Sequence, residues 1–325
     1  MDSQVRITDV SPRDGLQNEQ GVVPTADKVR LIQMLALSGV DEVEASSFVS
    51  PRWIPQLADA EEVLTAVKTW ALSRTAVPHA SEEKAAAPVF SVLVPNDKGF
   101  ERALALHDAL FPLKIAVFAA ASETFSQRNT NASIEQSIGR FREFLSRAFD
   151  AGMAVRLYVS CAVACPFEGP VAPGQVRRVA DRLLALCPDD AIARGDVEVD
   201  LGDTIGVATP GDIRALLGVF DEVERRDLLV LHLHDTFGRA AACVSAALDL
   251  GVRSFDSAAG GLGGCPYASK PGKPAPGNIA TETLVRTVEN SGFSTRIKLD
   301  ALMEAGRFAK DITERARLSA TDEAN

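Results

Sequence analysis

Short runs of apolar and β-branched residues alternate along the chain with longer segments in which apolar residues recur every three or four positions. The short runs predict eight β-strands, at residues 5–10, 42–45, 89–94, 114–119, 154–160, 197–201, 228–234 and 254–258. The longer segments predict eight helices, at residues 25–37, 59–69, 99–106, 133–151, 173–186, 210–220, 239–250 and 280–289.

This strict alternation of strands and helices predicts parallel strand pairing, since parallel neighbours need long crossover connections. Eight such units close into a (β/α)8 TIM barrel of the α/β class, for which about 250 residues is typical. We assign residues 1–295 to a catalytic barrel and residues 296–325 to a C-terminal helical extension and tail, because a helical segment at 299–318 is left over. Active sites of this fold lie in the loops that follow the C-terminal ends of the strands.

The composition narrows the range of partners. Of 325 residues, 46% are hydrophobic and 24% are charged, and the net charge of −10 disfavours a surface for nucleic acid. No apolar segment approaches the roughly 18 to 20 residues of a membrane span, and the N-terminus lacks the pattern of a secretion signal. The five cysteines are therefore expected to be free thiols in a cytoplasmic protein that has no nucleic-acid or membrane partner.

Two of the four histidines, His232 and His234, stand one residue apart at the end of a predicted strand. Side chains two apart on a strand project from the same face, so the two imidazoles converge. With a carboxylate such as Asp14, they would suit a divalent ion such as Mn²⁺, Mg²⁺, Zn²⁺ or Co²⁺. The alternative is a pair of barrel-lining histidines bonded to their neighbours. His79 and His107 lack this geometry, and we expect them on the surface or in loops.

The segment that follows the first predicted strand contains Arg13 and Asp14. The guanidinium of Arg13 presents a rigid fork of donors that suits a developing oxyanion or enolate. Asp14 could bind a metal or accept a proton, and Gln17 and Asn18 could hydrogen-bond a polar ligand. Taken alone, an adjacent arginine and aspartate could equally form a surface salt bridge. Polar residues at the ends of other predicted strands favour a shared site; they are Glu44, Ser47, Asn96, Ser160, Cys161, Asp203 and Thr204.

A glycine-rich segment at residues 260–267 follows the eighth predicted strand and contains Cys265. So many glycines permit backbone conformations that side chains would forbid, which predicts a mobile loop carrying one thiol. The thiol could act as an acid or base, or it could be an inert buried cysteine. The spacing of the glycines does not match a dinucleotide-binding fingerprint.

Taken together, these motifs resemble the 3-hydroxy-3-methylglutaryl-CoA lyase family, one of the metal-dependent lyase barrels. The resemblance spans most of the chain and rests on residues 11–19 (SPRDGLQNE), 44–51 (EASSFVSP), 158–161 (YVSC), 201–206 (LGDTIG), 232–236 (HLHDT) and 261–267 (GLGGCPY). The cysteine loop resembles the lyase signature. The HLHDT string differs from the His-x-His-Asn-Asp string expected of the related synthases, which favours cleavage over condensation.

The resemblance implies that a divalent cation, Mg²⁺ or Mn²⁺, is held by Asp14, His232, His234 and Asn278. It further implies that Arg13 stabilises an enolate, that Cys265 transfers a proton, and that Glu44 and Asp203 support the site. Ser160 and Thr204 would join Arg13, Gln17 and Asn18 in binding an acyl-CoA substrate. The implied reaction cleaves 3-hydroxy-3-methylglutaryl-CoA to acetyl-CoA and acetoacetate, as in leucine catabolism and ketone-body formation, and the implied assembly is a homodimer.

Two features depart from the family pattern and leave alternatives open. The connection at residues 269–277 is longer and richer in proline than expected, and the loop before the third predicted strand is extended. A related 3-hydroxy-3-alkylglutaryl-CoA could therefore be the substrate. A Claisen-type synthase and a catalytically inactive metal-binding barrel are further alternatives. A biotin-dependent carboxyltransferase would need a metal-binding lysine on a central strand, and residues 155–160 contain none.

Overall fold

A computed structural model describes residues 3–75, 87–220, 226–264 and 276–323 of the chain. The strands are β1 (Arg6–Asp9), β2 (Glu42–Ser47), β3 (Val89–Leu93), β4 (Leu113–Ala120), β5 (Val155–Ser160), β6 (Ala164–Cys165), β7 (Gly169–Pro170), β8 (Val197–Asp203), β9 (Leu229–Leu233) and β10 (Ser254–Ser257). The α-helices are α1 (Thr25–Ser38), α2 (Ala60–Thr75), α3 (Asp97–Leu106), α4 (Glu123–Thr130), α5 (Ile134–Asp150), α6 (Pro173–Leu184), α7 (Asp189–Arg194), α8 (Pro210–Gly218), α9 (Ala240–Asp249), α10 (Thr281–Asn290) and α11 (Leu299–Glu323).

Eight of these strands form a closed parallel barrel in the order β1-β10-β9-β8-β5-β4-β3-β2. The predicted (β/α)8 fold is therefore confirmed, and each predicted strand and helix overlaps an observed one. Closure joins the first and last barrel strands, with Arg6 opposite Ser254 and Asp9 opposite Ser257. The carboxyl ends of all eight strands consequently open at one mouth, where the predicted site residues were expected to meet.

Many inward-facing positions of the barrel are charged, although both faces of the strands are buried. Arg156 on β5 donates hydrogen bonds to Asp256 on β10 (2.7 Å), to Glu198 on β8 (3.0 Å) and to the hydroxyl of Thr8 on β1 (2.8 Å). Lys114 on β4 pairs with Glu198 at 2.8 Å. Buried charges are tolerated when each has a partner. This network fixes the carboxylate of Asp256, which bears on the site above it.

Several short elements between the main units were not predicted. A π-helix at Ser11–Gly15 follows β1, and the hairpin formed by β6 and β7 follows β5. Helix α4 begins at a Ser122 cap whose hydroxyl accepts a hydrogen bond from the backbone of Phe125. The π-helix matters most for function because it carries two of the predicted site residues.

The long C-terminal helix α11 packs against α1 and against the short turn Ala259–Gly261 that follows β10. Its apolar face is buried and consists of Leu302, Ala305, Ala309, Ile312 and Ala316. The predicted C-terminal helix is thus present, and the division between residues 295 and 296 stays a prediction. No helix in the described part of the chain has the length and apolar character required to span a membrane.

Candidate active site

His232 lies on β9 and His234 directly follows this strand. Their side chains meet, as the strand periodicity predicts. The Nε2 atoms of His232 and His234 lie 3.3 Å apart, and both side chains are buried. The Nδ1 atom of His232 lies 3.2 Å from Asp256 Oδ2. Since a carboxylate accepts hydrogen bonds, Nδ1 carries the proton and the lone pair of His232 Nε2 faces the mouth of the barrel.

Asp14 reaches the same point from the other end of the sequence. The π-helix Ser11–Gly15 turns the chain sharply after β1, and its cap lacks a side-chain hydrogen bond. Asp14 Oδ2 lies 3.9 Å from His232 Nε2 and 3.9 Å from His234 Nε2. The single carboxylate therefore faces both imidazoles across a gap wide enough for an ion.

Asn278 completes this group from a segment that runs beside the end of β9. The backbone of Asn278 bridges His234, and its side-chain Nδ2 lies 2.9 Å from Asp14 Oδ2. Gly263 permits this approach, because a Cβ there would lie 2.5 Å from Asn278 Nδ2 and because its φ is +92°. Asn278 Oδ1 is buried and accepts no hydrogen bond from any residue in the described ranges.

The donor set fits a divalent cation. One ligand atom from each of Asp14, His232 and His234 lies within 4.8 Å of the others. Two imidazole nitrogens facing one carboxylate oxygen form a mixed N/O set that suits such ions. Asn278 Nδ2 donates to Asp14 Oδ2 and to the carbonyl of Leu262 (3.0 Å), and a half-turn of the amide on ion binding would exchange these two bonds for its unpaired oxygen as a ligand. Asp14, His232, His234 and Asn278 would thus hold the ion.

The pKa values of Asp14 and His234 suit metal binding. Burial alone would raise the pKa of Asp14, but the charge of Arg13 and the two imidazoles overcome it and lower the pKa to about 2. Burial and the neighbouring His232 lower the pKa of His234 to about 4. At neutral pH, Asp14 is therefore an anion and His234 is neutral, which are the forms that bind cations. Burial would lower the pKa of His232, but its hydrogen bond to Asp256 and the charge of Asp14 raise it, so a cation would displace a proton there.

Arg13 is held in one orientation beside this group. Its Nε donates to Glu44 Oε2 at 2.6 Å, and its Nη1 donates to Asp14 Oδ1 at 2.7 Å. The guanidinium lies over the ring of Tyr158, 5.4 Å from the centroid. Tyr158 in turn donates from its hydroxyl to Glu44 (3.3 Å) and Asp256 (3.2 Å). Glu44 and Tyr158 therefore hold the positively charged guanidinium of Arg13 in place at the edge of the cleft.

A cleft of about 320 Å³ opens above these residues. Its lining brings together eight of the residues singled out from the sequence: Arg13, Asp14, Gln17, Asn18, Ser160, Thr204, His232 and His234. Glu44 lies behind Arg13 and Asn278 behind Asp14. The structure therefore collects the predicted metal, enolate-binding and substrate-binding residues at one place, and their individual roles stay predictions.

Other predicted residues lie elsewhere. The cleft is lined at the end of β8 by Gly202 and Thr204, whereas the carboxylate of Asp203 accepts hydrogen bonds from the backbone of Val207 (3.1 Å) and Ala208 (2.8 Å). Burial raises the pKa of Asp203 to about 6. Asp203 thus organises the loop after β8.

Further residues discussed from the sequence fall outside the cleft lining, among them Ser47, Asn96 and Cys161, or outside the described ranges. Cys265 and His79 lie outside the described residues, as does the part of the glycine-rich segment that follows residue 264. His107 is half-buried at the end of α3, where Nε2 donates to the carbonyl of Ala151 (3.1 Å) and Nδ1 accepts from the backbone of Leu113 (3.0 Å). His107 therefore has a structural role.

The sequence analysis did not single out Asp256, Tyr158 or Arg156, which hold His232 and Arg13 in place. A signal was present on β5, which contains both Arg156 and Tyr158. On β5, Arg156, Tyr158 and Ser160 alternate with apolar residues and so share one face. What the sequence lacks is the pairing that brings this face against Glu198 on β8 and Asp256 on β10.

Comparisons with known proteins agree with this geometry. The HMGL-like family model matches residues 4–309. Mitochondrial hydroxymethylglutaryl-CoA lyase from Bos taurus is 43% identical over 305 residues, covering 94% of this chain and 84% of that protein. The HMG-CoA lyase structure from Brucella melitensis matches with a TM-score of 0.83 and 41% identity, covering 96% of this chain and 99% of that one.

A further solved structure carries ligands. An HMG-CoA lyase from Acinetobacter baumannii, in complex with coenzyme A and 3-methylmalate, matches with a TM-score of 0.79 and 34% identity. The match covers 96% of this chain and 92% of that chain. These matches confirm the family resemblance found in the sequence motifs.

Proposed function

Since the chain belongs to the HMGL-like family, we propose that it is a metal-dependent carbon–carbon lyase that acts on 3-hydroxy-3-methylglutaryl-CoA or a related 3-hydroxy-3-alkylglutaryl-CoA. The products are acetyl-CoA and a 3-keto acid such as acetoacetate. Relatives named as hydroxymethylglutaryl-CoA lyases, 42–44% identical over 94% of this chain, support this substrate class. The coenzyme A found in one related structure supports a CoA thioester.

One observation carries the proposal: Asp14 faces His232 and His234 at 3.9 Å, with Arg13 bonded to the same carboxylate. A divalent cation bound by Asp14, His232, His234 and Asn278 would supply Lewis-acid activation of a substrate hydroxyl. Mg²⁺ and Mn²⁺ are the ions we favour, because the carboxylate and amide oxygens of the set suit hard cations.

Arg13 and its supports perform the electrostatic part of the reaction. As the bond between C2 and C3 breaks, its electron pair passes to the thioester fragment, and the C3 hydroxyl loses its proton to become the ketone. The guanidinium of Arg13 neutralises the enolate oxygen that forms. Glu44 and Tyr158 keep Arg13 in position, so little reorganisation accompanies the charge change. Protonation of the enolate carbon gives acetyl-CoA.

Polar groups along the cleft are placed to position the substrate. Gln17 and Asn18 follow the π-helix, and Ser160 and Thr204 lie at the ends of two barrel strands. Their amides and hydroxyls can bind the carboxylate and carbonyl oxygens of an acyl thioester. Cys265 as the proton-transfer group, a homodimeric assembly and a part in leucine catabolism remain predictions from the resemblance. A cytoplasmic location remains a prediction from the composition and the sequence pattern.

The test is product analysis. We expect the protein, incubated with Mg²⁺ or Mn²⁺ and 3-hydroxy-3-methylglutaryl-CoA, to release acetyl-CoA and acetoacetate, measured by mass spectrometry. Chelation of the metal with EDTA should stop turnover, and re-addition should restore it. Condensation of acetyl-CoA with a 2-oxo acid, without cleavage, would instead identify a synthase.

The variant Arg13→Lys tests the assigned chemistry. Lysine keeps the charge but loses the fork that engages Glu44 and Asp14 together. We expect kcat to fall by about 10²-fold or more, the loss typical of one transition-state donor, while the affinity for the divalent cation changes little. An unchanged kcat would contradict the assigned role of Arg13.

A further inference from the structure

One sector of the barrel interior is apolar, in contrast to the charged interior elsewhere. Leu93, Ala116 and Tyr158 form a buried cluster separate from the main core, with Phe118 packed against it. The neighbouring strands instead carry buried charged or polar side chains, among them Asp200, which is paired with Tyr158, and His232, which is paired with Asp256. We refer to Leu93, Ala116, Phe118 and Tyr158 as the apolar sector.

Strand register explains why these residues adjoin. Leu93 on β3 is paired with Ala116 on β4, and Phe118 on β4 is paired with Tyr158 on β5. Ala116 and Phe118 are two apart on β4 and project from the same face. Side chains of three adjacent strands therefore form one apolar patch, which Arg156, the partner of Ala116 on β5, bounds on the side away from the mouth.

This surface forms part of the wall of the active-site cleft. Leu93, Phe118 and Tyr158 line the cleft, and Phe118 is partly exposed to it. The ring of Tyr158 meets the ring of His232 edge-on, with centroids 6.2 Å apart. The apolar sector therefore adjoins His232, one of the residues that would hold the cation.

We propose that the apolar sector is the binding subsite for the alkyl group on C3 of the substrate, and that Phe118 limits the length of this group. The inference rests on the proposed function, and it names the substrate class as 3-hydroxy-3-alkylglutaryl thioesters. Every other substituent near C3 is a hydroxyl, a carboxylate or a thioester arm. Those groups belong with Arg13, Gln17, Asn18 and the cation ligands on the polar walls.

Physical chemistry favours this placement over the charged walls. An alkyl group set against Arg13 or Asp14 would desolvate charges without replacing their hydrogen bonds, which is costly. When the same alkyl group packs against Leu93 and Phe118, its own apolar surface and that of the two side chains are removed from water. Phe118 is the large side chain of this patch, since Ala116 below it is small and buried beside Arg156, so the size of the residue at 118 sets the space that an alkyl chain can occupy.

The test compares substrates that differ in the length of the 3-alkyl group. We would measure kcat/KM of the metal-loaded wild type and of Phe118→Ala with 3-methyl, 3-propyl and 3-pentyl forms of the 3-hydroxyglutaryl-CoA substrate. We expect Phe118→Ala to raise the ratio of kcat/KM for pentyl over methyl by about tenfold or more, since each methylene in a fitted pocket changes discrimination by roughly that factor. Phe118→Leu, a smaller change, should shift the ratio in the same direction and serves if the alanine variant does not fold.

Ile54→Ala is the matched control, because Ile54 lines the cleft from the loop after β2 and lies outside the apolar sector. We expect this variant to alter kcat/KM for all three substrates by a similar factor and to leave the ratio unchanged. Equal ratios in the wild type and both Phe118 variants, or a shift of the ratio in Ile54→Ala alone, would overturn the subsite. If the wild type cleaves none of the three thioesters, the proposed function fails and the subsite fails with it.

Discussion

His232 connects the buried charge network of the barrel to the candidate metal site. Its Nδ1 is bound to Asp256, whose other oxygen accepts from Arg156. Its Nε2 faces His234 and Asp14. A carboxylate behind a metal-binding imidazole fixes both the tautomer and the orientation of the ring. The buried charge network of the barrel therefore acts on the site through this single side chain.

We expect His232→Ala to weaken Mn²⁺ binding and to lower kcat sharply, because it removes one of the two converging nitrogens. Titration calorimetry with Mn²⁺ and a turnover assay measure the two effects, and circular dichroism checks the fold. His107→Ala is the control, since His107 bonds only to backbone groups away from the cleft in the described structure. Equal Mn²⁺ affinity in His232→Ala and the wild type would contradict the assignment of this histidine as a ligand.

At the scale of elements, the sequence predicted strands and helices well because each depends on local periodicity. For example, the pattern at residues 173–186 predicts a helix observed at Pro173–Leu184. The π-helix at Ser11–Gly15 follows no such period. Asn278 is likewise invisible to spacing, because the residue it approaches, Asp14, lies 264 positions away. It was found through resemblance to a family.

The loop after β8 provides a prediction about stability. Burial raises the pKa of Asp203 from 3.8 to about 6, so the folded state binds the proton more tightly than the unfolded state. The contribution of Asp203 is fully present below about pH 3.8 and is lost as the pH rises through about 6. The difference in unfolding free energy between the wild type and Asp203→Asn should therefore fall, by on the order of 1 kcal/mol, between about pH 5 and pH 8.

Urea denaturation at a series of pH values measures this difference. Asparagine also loses one of the two backbone hydrogen bonds, but that cost is independent of pH and shifts the whole curve. A difference that is constant across the pH range would show that Asp203 does not titrate there.

Docking of the C-terminal helix gives a second prediction at this scale. A Cβ on Gly21 would overlap the backbone carbonyl of Ala316 on α11, so Gly21→Ala must displace the helix. We expect a loss of about 1–3 kcal/mol in the free energy of unfolding, as for other overpacked contacts. Gly139 lies exposed on α5 with no atom near its would-be Cβ.

Gly139→Ala is therefore the matched control, and it should stabilise the protein by up to about 1 kcal/mol through helix propensity. Thermal and urea unfolding measure both variants. If Gly21→Ala proves as stable as Gly139→Ala, the packing of α11 against the segment around Gly21 is not as described.

For the whole molecule, the site lies where the two ends of the barrel sequence meet. Strand β1 pairs with β10 to close the barrel, and Asp9 binds the backbone of Ala259 (3.0 Å) and the hydroxyl of Thr281 (2.7 Å). Just above this seam, Asp14 approaches Asn278 and the two histidines. The candidate ligands therefore come from both sides of the closure, so binding and global stability are linked.

We accordingly expect Mg²⁺ or Mn²⁺ to raise the unfolding temperature of the whole chain, because an ion that binds the folded state alone stabilises it by mass action. At an ion concentration of 100 times Kd, the gain is about 2.7 kcal/mol. Differential scanning calorimetry in EDTA and in Mn²⁺ measures this gain.

Asn278→Ala should have an unfolding temperature in EDTA near that of the wild type but need more Mn²⁺ for the same rise in that temperature. Asp203→Asn is the control and should respond to Mn²⁺ as the wild type does. An undiminished response in Asn278→Ala would mean that Asn278 is not a ligand and that Asp14, His232 and His234 hold the ion without it.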